Sequence, residues 1–235
     1  MKPVIFAGPS IYHLQMPPEP GFDLVPPAQC GDVLKAVQEG RRVIGLIDGV
    51  FETGPAVWHK EIMFALAEGC TVLGASSMGA IRAAECSRFG MIGVGQIFDD
   101  YRTNKRTADA DVAILHGPGE LGYVPLTVAL VDVDDAILRM GAAGVLSESL
   151  GETLRRRARK IYFKSRTWEV LLSEVELSEE TATSILDWII ENGPGLKSRD
   201  ALLLLEQIGR TQIVQQRQEF LPTRFFSKLM ELSHS

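Results

Sequence analysis

VIGLIDGVFETGPAVWHKEIMFALAEGCTVLGASSMGAIRAAE, residues 43–85, decides the fold. The apolar run Val43 to Ile47 has the length and composition of a buried strand, and the turn Asp48-Gly49 ends it. A helix is expected next: Thr53 or Gly54 can cap it, Pro55 suits its first position, and Ile62, Ala65 and Leu66 recur at helical spacing. Thr71 to Gly74 is a second short strand, and Ala75-Ser76-Ser77-Met78-Gly79 turns directly into a helix from about Met78 to Ser87. A small residue, any residue, serine, any residue and glycine between strand and helix has the shape of a nucleophile elbow.

Sterics and electrostatics explain those residue types. A serine thrust forward on a tight turn needs small neighbours, here Ala75 and Gly79. The turn also aims the first helical N–H groups, beginning with Met78, at one point where an oxyanion can develop. Ser77 is therefore the leading nucleophile, and a plain helix-capping role for Ser76 and Ser77 is the competing reading. Of four histidines, His234 is in the tail and His13 sits in a Pro-rich segment, which leaves His59 and His116 as candidate bases. His59 falls in the first turn of its predicted helix, and His116 ends an apolar stretch, Val112 to Leu115. Either histidine can equally serve a structural hydrogen bond. Asp48 is the best carboxylate to orient a base, with Glu52 second, and the Gly49-Val50 loop can supply another oxyanion N–H.

Working outward, Pro3 to Ala7 reads as the first strand, and Ser10 follows it at the same sheet edge as a substrate-binding candidate, a plain turn being the alternative. His13 to Pro27 carries too many prolines for regular structure. A helix from about Asp32 to Glu39 ends at Gly40. Phe89 to Gln96 reads as a close-packed turn or a cover, because its glycines lack a phosphate-loop pattern. Val112 to Leu115 and Val128 to Val133 read as two more strands, the second running into a helix from Asp134. Beyond about Leu150 only helices are expected: Gly151 to Leu172, Ser178 to Glu191 and Ser198 to Gln207. The expected fold class is α/β, a Rossmann-like, mostly parallel sheet flanked by helices over residues 1–145, with an all-helical extension over 146–235.

At this point the residues carry a family resemblance. LIDGVFE, PAVWHKEI, GASSMGAIRAAE, FGMIGVGQIFDDYR and HGPGELGYVPL follow in an order that resembles the TfuA-like family, from about Val4 to Leu138. The resemblance implies a partner of YcaO enzymes in peptide thioamidation, where an amide oxygen is replaced by sulfur. It further implies either hydrolysis of a thiocarboxylated ThiS-like carrier to release sulfide, or recruitment and stimulation of YcaO without catalysis. On the first alternative Arg82, which can also pair with Glu85, would hold the carrier's terminal carboxylate or thiocarboxylate.

Composition narrows the classes further. With 235 residues and 46% hydrophobic content the chain can bury a substantial core, and no apolar run approaches a membrane span. A start that goes straight into strand character, without a secretory apolar segment, makes a cytoplasmic location the expectation. Cys30, Cys70 and Cys86 have no metal-ligand spacing, and neither a metal nor an organic cofactor is expected. A net charge of −6 speaks against nucleic acid as a partner. One basic run, Arg155 to Lys160, is either a solvated helix face or a docking surface for an acidic protein. The apolar block Leu202 to Leu205 should be buried on more than one side, within its own domain or against another chain, which leaves self-association open.

Overall fold

The computed structural model describes residues 1–52, 54–209 and 220–232, so the Thr53 cap and His234 lie outside the described residues. Two compact units emerge: residues 1–107 with 198–235, and residues 108–197.

The first unit is built on five parallel strands, β1 (Val4–Phe6), β2 (Asp23–Val25), β3 (Val43–Leu46), β4 (Thr71–Ala75) and β5 (Ile92–Val94). Their spatial order is β2-β1-β3-β4-β5, so the direction of winding reverses between β1 and β3. This is the α/β Rossmann-like sheet expected from the chain's central stretch. Helices α1 (Asp32–Gln38), α2 (His59–Ala67) and α3 (Met78–Cys86) cross over between successive strands. Strand alternation separates two cores. Val4, Phe6, Ile44, Leu46 and Val72 pack with Val33, Ile62 and Ala83 of these helices. Ile5, Ile47 and Leu73 face the other way and are covered by Leu204, Leu205 and Ile208, from the helix spanning Leu196–Ile208. Gly45 permits that approach, because a Cβ there would lie 2.9 Å from Ile208 Cδ1. Helix α4 (Gln96–Arg102) follows β5, and Asp200 accepts hydrogen bonds from the Gln96 and Ile97 amides at its start.

Several expectations need correction. His13 to Pro27 contains the edge strand β2, and Phe89 to Gln96 contains the opposite edge strand β5, each only three residues long. At an edge a strand pairs on one side alone, so proline and glycine are tolerated there. Pro55 does not open α2; Trp58 precedes the first helical residue, and the Glu61 carboxylate reaches back to the Trp58 amide at 3.1 Å. Only two members of the leucine block are buried, since Leu202 and Leu203 are 42% and 47% exposed.

In the second unit Val112 to Leu115 is irregular, and Val128 to Val133 is not a strand. Helix α5 runs Leu130–Ala142, burying Leu130, Val133, Ile137 and Met140 at helical spacing. Helices α6 (Glu148–Ala158), α7 (Trp168–Ser173) and α8 (Glu179–Glu191) complete its core, and Ser178 caps α8 as expected. The predicted helix Gly151 to Leu172 is thus broken after Ala158. Ser198 lies inside the helix that begins at Leu196, not at its cap. The buried Arg166 guanidinium donates to the Ala158 and Ile161 carbonyls, both at 3.2 Å, and so ties down the chain after α6.

Candidate functional site

In a doubly wound sheet the carboxyl ends of the two strands flanking the winding reversal splay apart and leave a crevice. Here those ends are Ala7-Gly8-Pro9-Ser10 after β1 and Ile47-Asp48-Gly49 after β3, and β4 next door ends in the serine pair. Asp48 is 2% exposed, and its carboxylate accepts three hydrogen bonds from one loop: Gly8 N–H at 2.9 Å and Ser10 N–H at 3.0 Å on Oδ2, and Ser10 O–H at 2.7 Å on Oδ1. Ser76 Oγ then donates to Ser10 Oγ at 2.9 Å. The result is a buried relay, Ser76 to Ser10 to Asp48, with each hydroxyl pointing its proton toward the carboxylate.

The backbone at Ser76 is strained. Its φ is +67°, and Ser77 N–H donates to Ala75 O at 2.9 Å, closing a three-residue turn of the rare left-handed kind. Such a turn sits at the elbow of strand-to-helix nucleophile motifs. Two glycines make it possible: a Cβ on Gly79 would overlap Leu46 O, and one on Gly74 would overlap Gly79 O. Helix α3 therefore starts hard against β3, with Gly79 N–H bonded to Ile47 O at 3.1 Å. The amides of Met78 and Gly49 have no hydrogen-bond partner among the described residues. The two turns touch, since a Cβ on Gly49 would lie 2.7 Å from Met78 Cγ. Val50 N–H, in contrast, is bonded to Ala28 O at 2.9 Å.

The other sequence candidates are placed elsewhere. Ser77, 3% exposed, makes no side-chain hydrogen bond among the described residues. His59 Nε2 lies 2.8 Å from Glu85 Oε2 at the surface, and Arg82 donates to the same oxygen at 2.7 Å and to Val57 O at 2.8 Å. Burial works against ionisation of Glu85, but the His59 hydrogen bond and the Arg82 charge outweigh it and hold the carboxyl below its usual range. His116 belongs to the second unit, where its Nδ1 meets Gly117 O at 2.7 Å and its ring stands edge-on to Tyr123. Glu52 is exposed in the loop after β3, with φ of +59°. No described histidine of the sheet unit hydrogen-bonds to the serine pair.

Sequence reasoning missed Ser76. The signal was the small residue two positions earlier, Gly74, which gives the spacing Gly-x-Ser as readily as Ala75 does for Ser77. The cysteines are poorly suited to carry sulfur. Burial pushes the Cys30 thiol up to about 11, helped by the neighbouring Glu61 carboxylate, and burial likewise raises Cys86 to about 11. Burial raises the Cys70 thiol too.

Among the described residues no three His, Cys, Asp or Glu side chains converge on a metal-sized site, and no helix is long and apolar enough to cross a membrane. Compared with known proteins, residues 48–167 match the family model described as TfuA-like protein. No curated protein matches the chain.

Proposed function

The chain belongs to the TfuA-like family, whose members are accessory proteins of YcaO-associated thioamidation, and from that premise we propose that it releases sulfide by hydrolysing a thiocarboxylated ThiS-like carrier. The observation that carries this reading is the relay Ser76–Ser10–Asp48 at the winding reversal of the sheet. Ser76 Oγ attacks the terminal thiocarboxylate carbon, and its proton moves to Ser10 as the Ser10 proton moves to Asp48. The Met78 and Gly49 amides hold the oxyanion. The C–S bond breaks, sulfur leaves as sulfide and recovers the proton through Ser10, and water then cleaves the Ser76 ester. The balance is thiocarboxylate plus water to carboxylate plus hydrogen sulfide. Ser77, one residue on, lines the same elbow and would shape it rather than attack. His59, held by Glu85, is left as a surface contact for the incoming carrier, with Arg82 behind it.

Because Ser10, Asp48 and Ser76 are shut off from solvent, catalysis requires the carboxyl-edge loops to part when the carrier binds. The same burial favours a second reading, an adaptor that recruits or stimulates YcaO while the serine cluster merely braces the sheet edge. Incubating the purified protein with thiocarboxylated carrier, without YcaO, separates the two. Free sulfide under those conditions supports the hydrolase; no sulfide, together with faster YcaO turnover, supports the adaptor.

A further inference from the structure

Helix α6 ends in a concentration of exposed positive charge. Between Thr153 and Trp168 the chain has no acidic residue, although its net charge is −6. Arg156, Arg157, Arg159, Lys160 and Lys164 are all exposed there. Cations near a helix C-terminus are favoured by its dipole, which accounts for those in the last turn. It does not account for Lys160 and Lys164, which lie past the end of α6. Two of the arginines have only long-range partners within the unit, Arg157 with Glu174 at 3.8 Å and Arg159 with Asp134 at 3.6 Å. Arg155, Arg156 and Lys160 have no ion pair among the described residues. Tyr162 stands among them, 55% exposed, with Lys164 Nζ 5.9 Å from its ring centre.

We propose that this basic surface, Arg155 to Lys164, is the docking site for an acidic face of the sulfur-carrier protein; the inference rests on the hydrolase reading for the carrier's identity. The chemistry of the patch calls for an acidic occupant. A permanent subunit interface has an apolar centre, whereas this surface offers exposed charge around one tyrosine, which suits a partner that is steered in, held briefly and released. Nucleic acid is the weaker fit, because the same unit exposes Glu179, Glu180, Asp187 and Glu191 along α8 and the whole chain is negative.

The test uses the full chain and a fluorescently labelled ThiS-like carrier, titrated at low and at physiological salt. Arg156→Glu with Lys160→Glu should weaken binding by about 10- to 100-fold at low salt, and Arg156→Gln with Lys160→Gln by about 3- to 10-fold. Salt should weaken binding of the native chain more than that of either variant. In sulfide release the variants should raise KM and leave kcat in place, as expected when binding alone is lost. Patch-dependent carrier binding without sulfide release would overturn the hydrolase reading and keep the docking site. Carrier binding unchanged by charge reversal would overturn the docking site, as would patch-dependent binding of single-stranded RNA or of YcaO in place of the carrier.

Discussion

Replacing Ser10 by alanine deletes one oxygen and cuts the relay at its middle. Two hydrogen bonds go with it: the one donated to Asp48 at 2.7 Å and the one accepted from Ser76 at 2.9 Å. A hydrogen bond to a charged group contributes about 1.5–3 kcal/mol net, and leaving the Ser76 hydroxyl unsatisfied in a buried site costs a further ~1–3 kcal/mol. Asp48 keeps its two backbone donors, Gly8 and Ser10 N–H, so the carboxylate is not stranded and the loss should stay near the lower end of that sum. Against a domain stability of roughly 5–15 kcal/mol the variant should still fold, with a lower denaturation midpoint. Its sulfide release from thiocarboxylated carrier should fall by about 10²- to 10⁴-fold, the usual contribution of a positioned base. Sulfide release within a few-fold of the native rate, from a Ser10→Ala protein shown to be folded, would refute the relay.

Three further outcomes follow from the geometry. At position 76 glycine should give a more stable protein than alanine by about 1 kcal/mol in chemical denaturation, the reverse of their order at ordinary helical or strand positions, because φ is +67° there. Burial raises the Glu61 carboxyl above its usual value despite amide bonds from Gly31, Trp58 and Leu34, so the folded state holds that proton longer than the unfolded chain. Its contribution to stability is present below the ordinary glutamate range and lost as pH rises through the raised value, and Glu61→Gln should flatten that slope in pH-dependent denaturation. Iodoacetamide at pH 8 should leave Cys30 and Cys86 largely unmodified in the native protein and label both in denaturant, since both thiols titrate at about 11.

The residues that made the fold legible are those whose neighbours in sequence are also their neighbours in structure. Val43 to Ile47 is apolar throughout and Thr71 to Gly74 is apolar after its threonine because their strands are buried on both faces, and the structure places β3 and β4 there. Strands β2 and β5 escaped notice because three residues among prolines or glycines carry no periodicity, and pairing along one edge is what makes them strands. Val128, Val131 and Val133 invited a strand by their β-branching, yet α5 buries Leu130, Val133, Ile137 and Met140 along one helical face, and that packing overrode local preference. The site was legible as a place but not as a set of contacts. Asp48, Ser10 and the elbow could be assigned to one sheet edge, whereas the choice of Ser76 as the hydroxyl joined to Ser10 depends on a left-handed φ that no residue type announces. His59 was drawn toward Glu85 by a helix-to-helix approach that the sequence does not encode locally.

The most direct test of the central claim is the rate of sulfide release by Ser76→Ala, measured beside the native chain on thiocarboxylated carrier without YcaO. Attack by the Ser76 hydroxyl predicts a rate at the uncatalysed background for the variant, with carrier binding intact. A folded Ser76→Ala protein that released sulfide as fast as the native chain would contradict it.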